Sequence, residues 1–166
     1  MCPTDLSCRA RRLACFFLGA LVLAARFAHA ETTTAGLEIE TIAERRVVEG
    51  NGARFAPAVG LKIGDELFYT LRVRNATGAA LEDAVVIRAL PRNTRYVADS
   101  ASGPGVAIGY SIDGGKTFAS PDRLVVASPD GSRPARADEY THIRWRFRHA
   151  LAPNAIALLR FRAVFK

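Results

Sequence analysis

Five arginines late in the chain stand at alternate positions: Arg144, Arg146 and Arg148 in one stretch, Arg160 and Arg162 in the next. A guanidinium is a permanent cation with a planar fork of donors, suited to carboxylates, phosphates and sulfates. Alternate spacing puts each set on one side of a β-strand. If the two stretches pair as a hairpin, all five cations share one outer surface. Like charges opposed across a ladder are mildly unfavourable, by about 1 kcal/mol per pair at close range in water. Two readings follow. Either the face is solvated, balanced by Glu38, Glu40 or Glu82, or it docks an anionic polymer, a lipid head group or an acidic partner.

Other chemistries lack their residues. His142 and His149 are seven positions apart, so a strand through both turns them opposite ways. Solvated surface positions are expected for each. The three cysteines, Cys2, Cys8 and Cys15, all lie near the start, which leaves a zinc site without thiolates. Asp130, Asp138 and Glu139 could bring calcium to a loop, but without the ligand spacing of a dedicated one. Gly109-Tyr110-Ser111-Ile112-Asp113 lacks the closing glycine of a nucleophile elbow, and its flanks read strand–turn–strand. Carboxylates in the pairs Glu82-Asp83 and Asp138-Glu139 are adjacent, so on a strand they diverge. The expectation is a protein that is not an enzyme, with no metal and no cofactor.

Ser111-Ile112-Asp113-Gly114-Gly115-Lys116-Thr117-Phe118 carries the densest local pattern. Asp113 can accept bonds from nearby backbone N–H groups while Gly115 takes the left-handed conformation. The segment reads as a hairpin between Tyr110–Ile112 and Lys116–Phe118. Phe118 is expected to pin it to the core, with Ser111, Asp113, Gly115 and Thr117 as structural residues.

These residues need a frame, and the frame begins after an address. Residues 1–30 have a positive start (Arg9, Arg11, Arg12), a thirteen-residue apolar run (Leu13–Ala25) and small residues at Ala28 and Ala30. That is the layout of a secretory signal cut after Ala30. The run is shorter than the roughly 20 residues of a membrane span. Arg26 leaves retention as an anchor as the alternative. The expected compartment is periplasmic or extracellular, with no integral membrane segment after cleavage. Arg9, Arg11, Arg12 and Arg26 against Asp5 hold +3 of the formal +7, so the processed chain carries +4. Such mild basicity favours acidic surfaces slightly without implying nucleic acid. The remaining 136 of 166 residues can bury nearly 70% of their unfolded surface, enough for one core without disulfides.

Alternation then marks the strands. Leu67, Tyr69, Leu71 and Val73 alternate with Phe68, Thr70, Arg72 and Arg74, the period of a half-buried strand. Ile143, Trp145 and Phe147 alternate with the first arginine set, and Leu159, Phe161 and Phe165 with the second. Shorter strands are expected at Leu37–Thr41, Ala84–Ala89, Thr94–Ala98 and Leu124–Val126. Arg54–Gly60, with Pro57, reads as a connection. Ser128–Glu139 reads as an exposed loop. Asn75 and Gly78 are expected to supply left-handed conformations where the chain reverses. The sum is an all-β, Ig-like antiparallel sandwich of seven to nine strands. Residues 31–58 read as an N-terminal extension with the first strand or strands, and 59–166 as the sandwich. Tyr69, Trp145 and Phe161 should meet in its interior. Its edge strands offer backbone to a partner strand.

Two resemblances add to this reading. Gly64-Asp65-Glu66, Tyr69-Thr70, Arg74-Asn75-Ala76-Thr77-Gly78, Val85–Ile87 and Leu90-Pro91 resemble the bacterial "domain of unknown function eleven". These are Ig-like surface-repeat modules. Leu151-Ala152-Pro153-Asn154 and Leu158–Phe161 are similar to that family's ending. The resemblance covers about 59–164 in a single copy. It implies an Ig-like sandwich in an exported protein, with no assigned reaction. Ala89 stands where the family often has an acidic residue. Ser111–Phe118 in turn resembles the Asp-box hairpin of sialidases and related propellers, where it is structural and remote from catalysis. The expected function is an exported, non-catalytic module, structural or protein-binding, in the bacterial cell envelope. The alternative is a carbohydrate- or polyanion-binding accessory domain using the arginine face or the loops around Tyr110 and Tyr140. A hydrolase without a visible site is the third reading.

Overall fold

In the computed structural model, which describes residues 34–129 and 131–166, the expected all-β sandwich forms. The signal-like residues 1–30, and Asp130, lie outside the described residues. Among the described residues ten strands form: β1 (Leu37–Glu49), β2 (Gly52–Pro57), β3 (Glu66–Asn75), β4 (Val85–Ala89), β5 (Thr94–Tyr96), β6 (Val106–Ser111), β7 (Val125–Ser128), β8 (Gly131–Pro134), β9 (His142–Phe147) and β10 (Ile156–Phe165). Two antiparallel sheets form the layers, in the orders β2-β1-β3-β10-β5 and β4-β9-β6, and β7-β8 is a separate hairpin. Among the described residues no helix is long and apolar enough to cross a membrane.

The core follows the alternation. Leu67, Leu71 and Val73 of β3 are buried, as are Ile143, Trp145 and Phe147 of β9 and Leu159 and Phe161 of β10. Antiparallel register sets Tyr69 opposite Phe161, and their rings stack at 4.6 Å and 6°. Trp145 reaches across from the other sheet, 6.2 Å from the Phe161 ring. Phe161 is thus the middle member of the expected aromatic cluster. A second cluster ties the sheets together at Tyr96 and Tyr110, whose hydroxyls lie 3.0 Å apart. Tyr140 stacks on Tyr110 at 4.6 Å.

Several boundaries differ from the sequence reading. The expected first strand runs on from Thr41 to Glu49 as β1, which pairs with β3 from Leu37↔Asn75 to Arg45↔Leu67. Just before it, Thr34 clasps the edge of β4: its N–H donates to the Val85 carbonyl at 3.1 Å, and the Val85 N–H donates to its hydroxyl at 2.9 Å. Arg54–Pro57, expected as a connection, lies in β2, which returns along β1 from the two-residue turn Gly50-Asn51. Gly50 supplies φ +60° there. Pro57 is tolerated because β2 is an edge strand. The expected loop after Ser128 contains β8, with Pro134 at its last position. Asn75 and Gly78 are not left-handed; Asp83, Asp99 and Asn154 are.

Candidate binding faces

Topology decides the fate of the arginine face. β9 pairs with β4 and β6, whereas β10 pairs with β3 and β5. The expected β9–β10 hairpin does not form, because the two strands belong to opposite layers. Arg144, Arg146 and Arg148 therefore lie outside one sheet, and Arg160 and Arg162 outside the other.

On the first side two of the three cations are engaged. The Arg144 guanidinium sits 4.8 Å over the Phe118 ring, a cation–π contact. Arg146 pairs with Asp83 at 2.8 Å. The backbone N–H of Arg148 donates to the Gly105 carbonyl at 2.8 Å.

The Asp113 loop packs beside them. Asp113 Oδ1 accepts from the Ser111 hydroxyl at 2.7 Å and from the Lys116 and Thr117 N–H groups at 3.0 Å. Asp113 Oδ2 accepts from the Thr117 hydroxyl at 2.6 Å. These donors, Thr117 first, hold the Asp113 carboxyl far below the ordinary range. Gly114 and Gly115 take φ +77° and +85°. Lys116–Phe118 forms no strand; one bridge, Tyr110↔Ala119, closes the loop. Phe118 lies under Arg144 on the outer side instead of entering the core, because the loop spends its backbone donors on Asp113 and not on a ladder. The same loop covers His142, which is 8% exposed and not solvated. The Gly115 Cα faces that ring so closely that a Cβ there would lie 3.2 Å from it. His149 is exposed, as expected.

Glu139 accepts from both Arg133 terminal nitrogens at 2.7 and 2.6 Å and from the Arg136 N–H at 2.7 Å. Those bonds, Arg133 first, lower its pKa to about 2. Asp138 pairs with Arg136. Among the described residues no cluster of His, Cys, Asp and Glu is grouped to hold a metal ion. Tyr110 is buried, so its ring offers no platform for a ligand.

The outer face of the five-stranded sheet is different. Register builds it in rows across three strands: Glu38–Arg74–Ile156, Glu40–Arg72–Leu158, Ile42–Thr70–Arg160 and Glu44–Phe68–Arg162. Arg74 pairs with Glu38 at 2.9 Å, and Arg162 with Glu66 at 2.8 Å. Arg160 is exposed and makes no ion pair with a described residue. On β2, Phe55 meets Phe68 edge-to-face at 4.8 Å yet remains 55% exposed. Glu44, Phe55, Phe68, Thr70, Arg160 and Arg162 line a shallow cleft of about 440 Å³.

The sequence reading placed Arg160 and Arg162 outward but missed Phe55 and Phe68. Phe68 was legible as an aromatic in the outward phase of β3. Phe55 was hidden by the reading of its segment as a connection. Comparison of the chain with protein-family models, with curated proteins and with solved structures finds no match.

Proposed function

We propose that the chain is an exported, non-catalytic Ig-like module of the bacterial cell envelope, and that it binds through the outer face of its five-stranded sheet. One observation carries this reading. Ile42, Phe55, Ile156 and Leu158 are all exposed on that face, beside an arginine without an acidic partner. Exposed apolar side chains gathered on one face are what an interaction surface offers a partner. The export-signal layout and the resemblance of Gly64–Pro91 to surface-repeat modules support the envelope assignment. The strongly acidic carboxyls support a structural part for their loops: Asp113 and Glu139 are held as anions by several donors each, the opposite of a group poised to give up a proton near neutrality. Of the two partners expected from the sequence, an envelope protein or an anionic polymer, this face favours the polymer. Its cleft joins aromatic rings to a cation on a sheet face, whereas a partner strand would use a sheet edge.

Cell fractionation tests the reading. The protein is expected with the envelope fraction, and the double variant Phe55→Ala/Arg160→Ala is expected to be released into the soluble extract while still folded. Cytoplasmic retention of the wild-type chain would overturn export. Equal release by Arg146→Glu, on the opposite layer, would overturn the assignment of the face.

A further inference from the structure

We propose that the cleft on the five-stranded sheet takes a carboxylated sugar of an acidic polysaccharide, with the carboxylate on Arg160 and the ring faces on Phe55 and Phe68. The inference rests on the reading above and names the ligand class for the same face.

The cleft is polarised across the strands. Arg160 and Arg162 stand on β10 and Glu44 on β1, with β3 between them. Two strand spacings separate the columns by about 10 Å. Arg162 is neutralised by Glu66, so within the cleft lining the cation left for a ligand is Arg160. A single guanidinium fork matches a single carboxylate. Polyphosphates and nucleic acids present dense charge and need several cations together.

At the other end Glu44 is an acceptor for hydroxyl groups, and Thr70 between them both donates and accepts. A sugar ring offers that combination: apolar C–H faces, a rim of hydroxyls and, in a uronic acid, one carboxylate. Phe55 and Phe68 supply the apolar platform. Their perpendicular rings present two differently oriented faces, which suits successive residues of a twisted chain better than one flat ring. The volume of about 440 Å³ falls within the range of about 300–1,000 Å³ common for small-ligand sites.

Calorimetric titration of the purified protein tests this. The probes are oligogalacturonate, oligoglucuronate, alginate oligomers, methyl-esterified oligogalacturonate, a neutral cello-oligosaccharide and inorganic polyphosphate. At least one of the three acidic saccharides is expected to bind. Esterified and neutral sugars, and the Arg160→Ala variant, should each bind about tenfold or more weakly, the loss of one charge-assisted pair. Arg160→Lys should retain part of the affinity, Phe55→Ala should lose it without a change in charge, and Arg146→Glu should match wild type. Circular dichroism confirms that each variant is folded. Equal binding of the esterified sugar would overturn the proposal, as would polyphosphate binding with the same dependence on Arg160. Failure of all three acidic saccharides, while envelope association still requires Phe55 and Arg160, would remove the sugar and leave the binding face standing.

Discussion

The side chain of Asn75, at the end of β3, donates to the carbonyl of Leu151 across the turn that precedes β10, at 2.8 Å. The same amide nitrogen donates to Ala79 at 2.8 Å, and its oxygen accepts from the Thr77 N–H and hydroxyl at 2.9 and 2.7 Å. One fully buried side chain thus fastens two chain reversals together. Asn75→Ala removes these bonds from a fully buried site and takes the acceptor from the Thr77 N–H, and is expected to cost roughly 1–3 kcal/mol in denaturant unfolding. Asn75→Asp should cost more, since a carboxylate would face carbonyl oxygens. A neutral Asn75→Ala would show that the two turns hold without it.

Gly114 and Gly115 both have positive φ, but only Gly115 presses on another group. Gly114→Ala should lose about 1–2 kcal/mol, the left-handed penalty alone. Gly115→Ala should lose more, because its Cβ would meet the His142 ring at 3.2 Å, whereas a Cβ on Gly114 would meet nothing within 4 Å. Equal losses by thermal denaturation would mean that His142 moves aside freely.

Acid should weaken the fold through two carboxyls. Glu139 lies at about 2 against an ordinary 4.5, and Asp113 lower still against 3.8. Depressed values stabilise the fold above the unfolded-state pKa and lose that contribution as pH falls through the folded one. The Tm is expected to stay level as pH falls to about 4.5 and then drop toward pH 2. Glu139→Gln and Asp113→Asn should lower Tm at neutral pH and flatten the acid limb. Acid limbs parallel to wild type would exclude these two groups as its source.

Alkali should act at the tyrosines. Burial first, then the hydrogen bond with Tyr96, pushes the Tyr110 hydroxyl well above its ordinary 10.0. A raised value means that the stabilisation is complete below the unfolded-state pKa and fades as pH rises above it. Stability is expected to decline above pH 10. Tyr110→Phe should be less stable at neutral pH, where it loses the bond to Tyr96, and should decline less steeply in alkali. Unchanged alkaline steepness in that variant would place the sensitivity elsewhere.

Alternation made the layers legible, because one face of each long strand must be buried. Leu67 to Val73, Ile143 to Phe147 and Leu159 to Phe161 all lie where a period of two puts them. The pairing partner of each strand was not legible. Arg146 and Arg160 have the same local pattern, and only long-range register sends them to opposite layers. Short exposed strands such as β2 and β8 were hidden because, Phe55 apart, their residues are polar, small or prolyl, and pairing with a neighbouring strand orders them. Asn75 was legible as a special residue but misread in kind: its amide reaches carbonyls from a distant turn, which local turn chemistry does not announce. The candidate cleft needed register too, since Phe55, Phe68 and Arg160 come from three different strands.

The pairing of β3 with β10 also sets a timetable. Glu66 waits for Val164 and Arg74 for Ile156, so the middle of the larger sheet stays open until nearly all of the described chain has been synthesised. Contacts of such sequence separation close slowly. A nascent chain built this way cannot close its larger sheet before β10 has emerged.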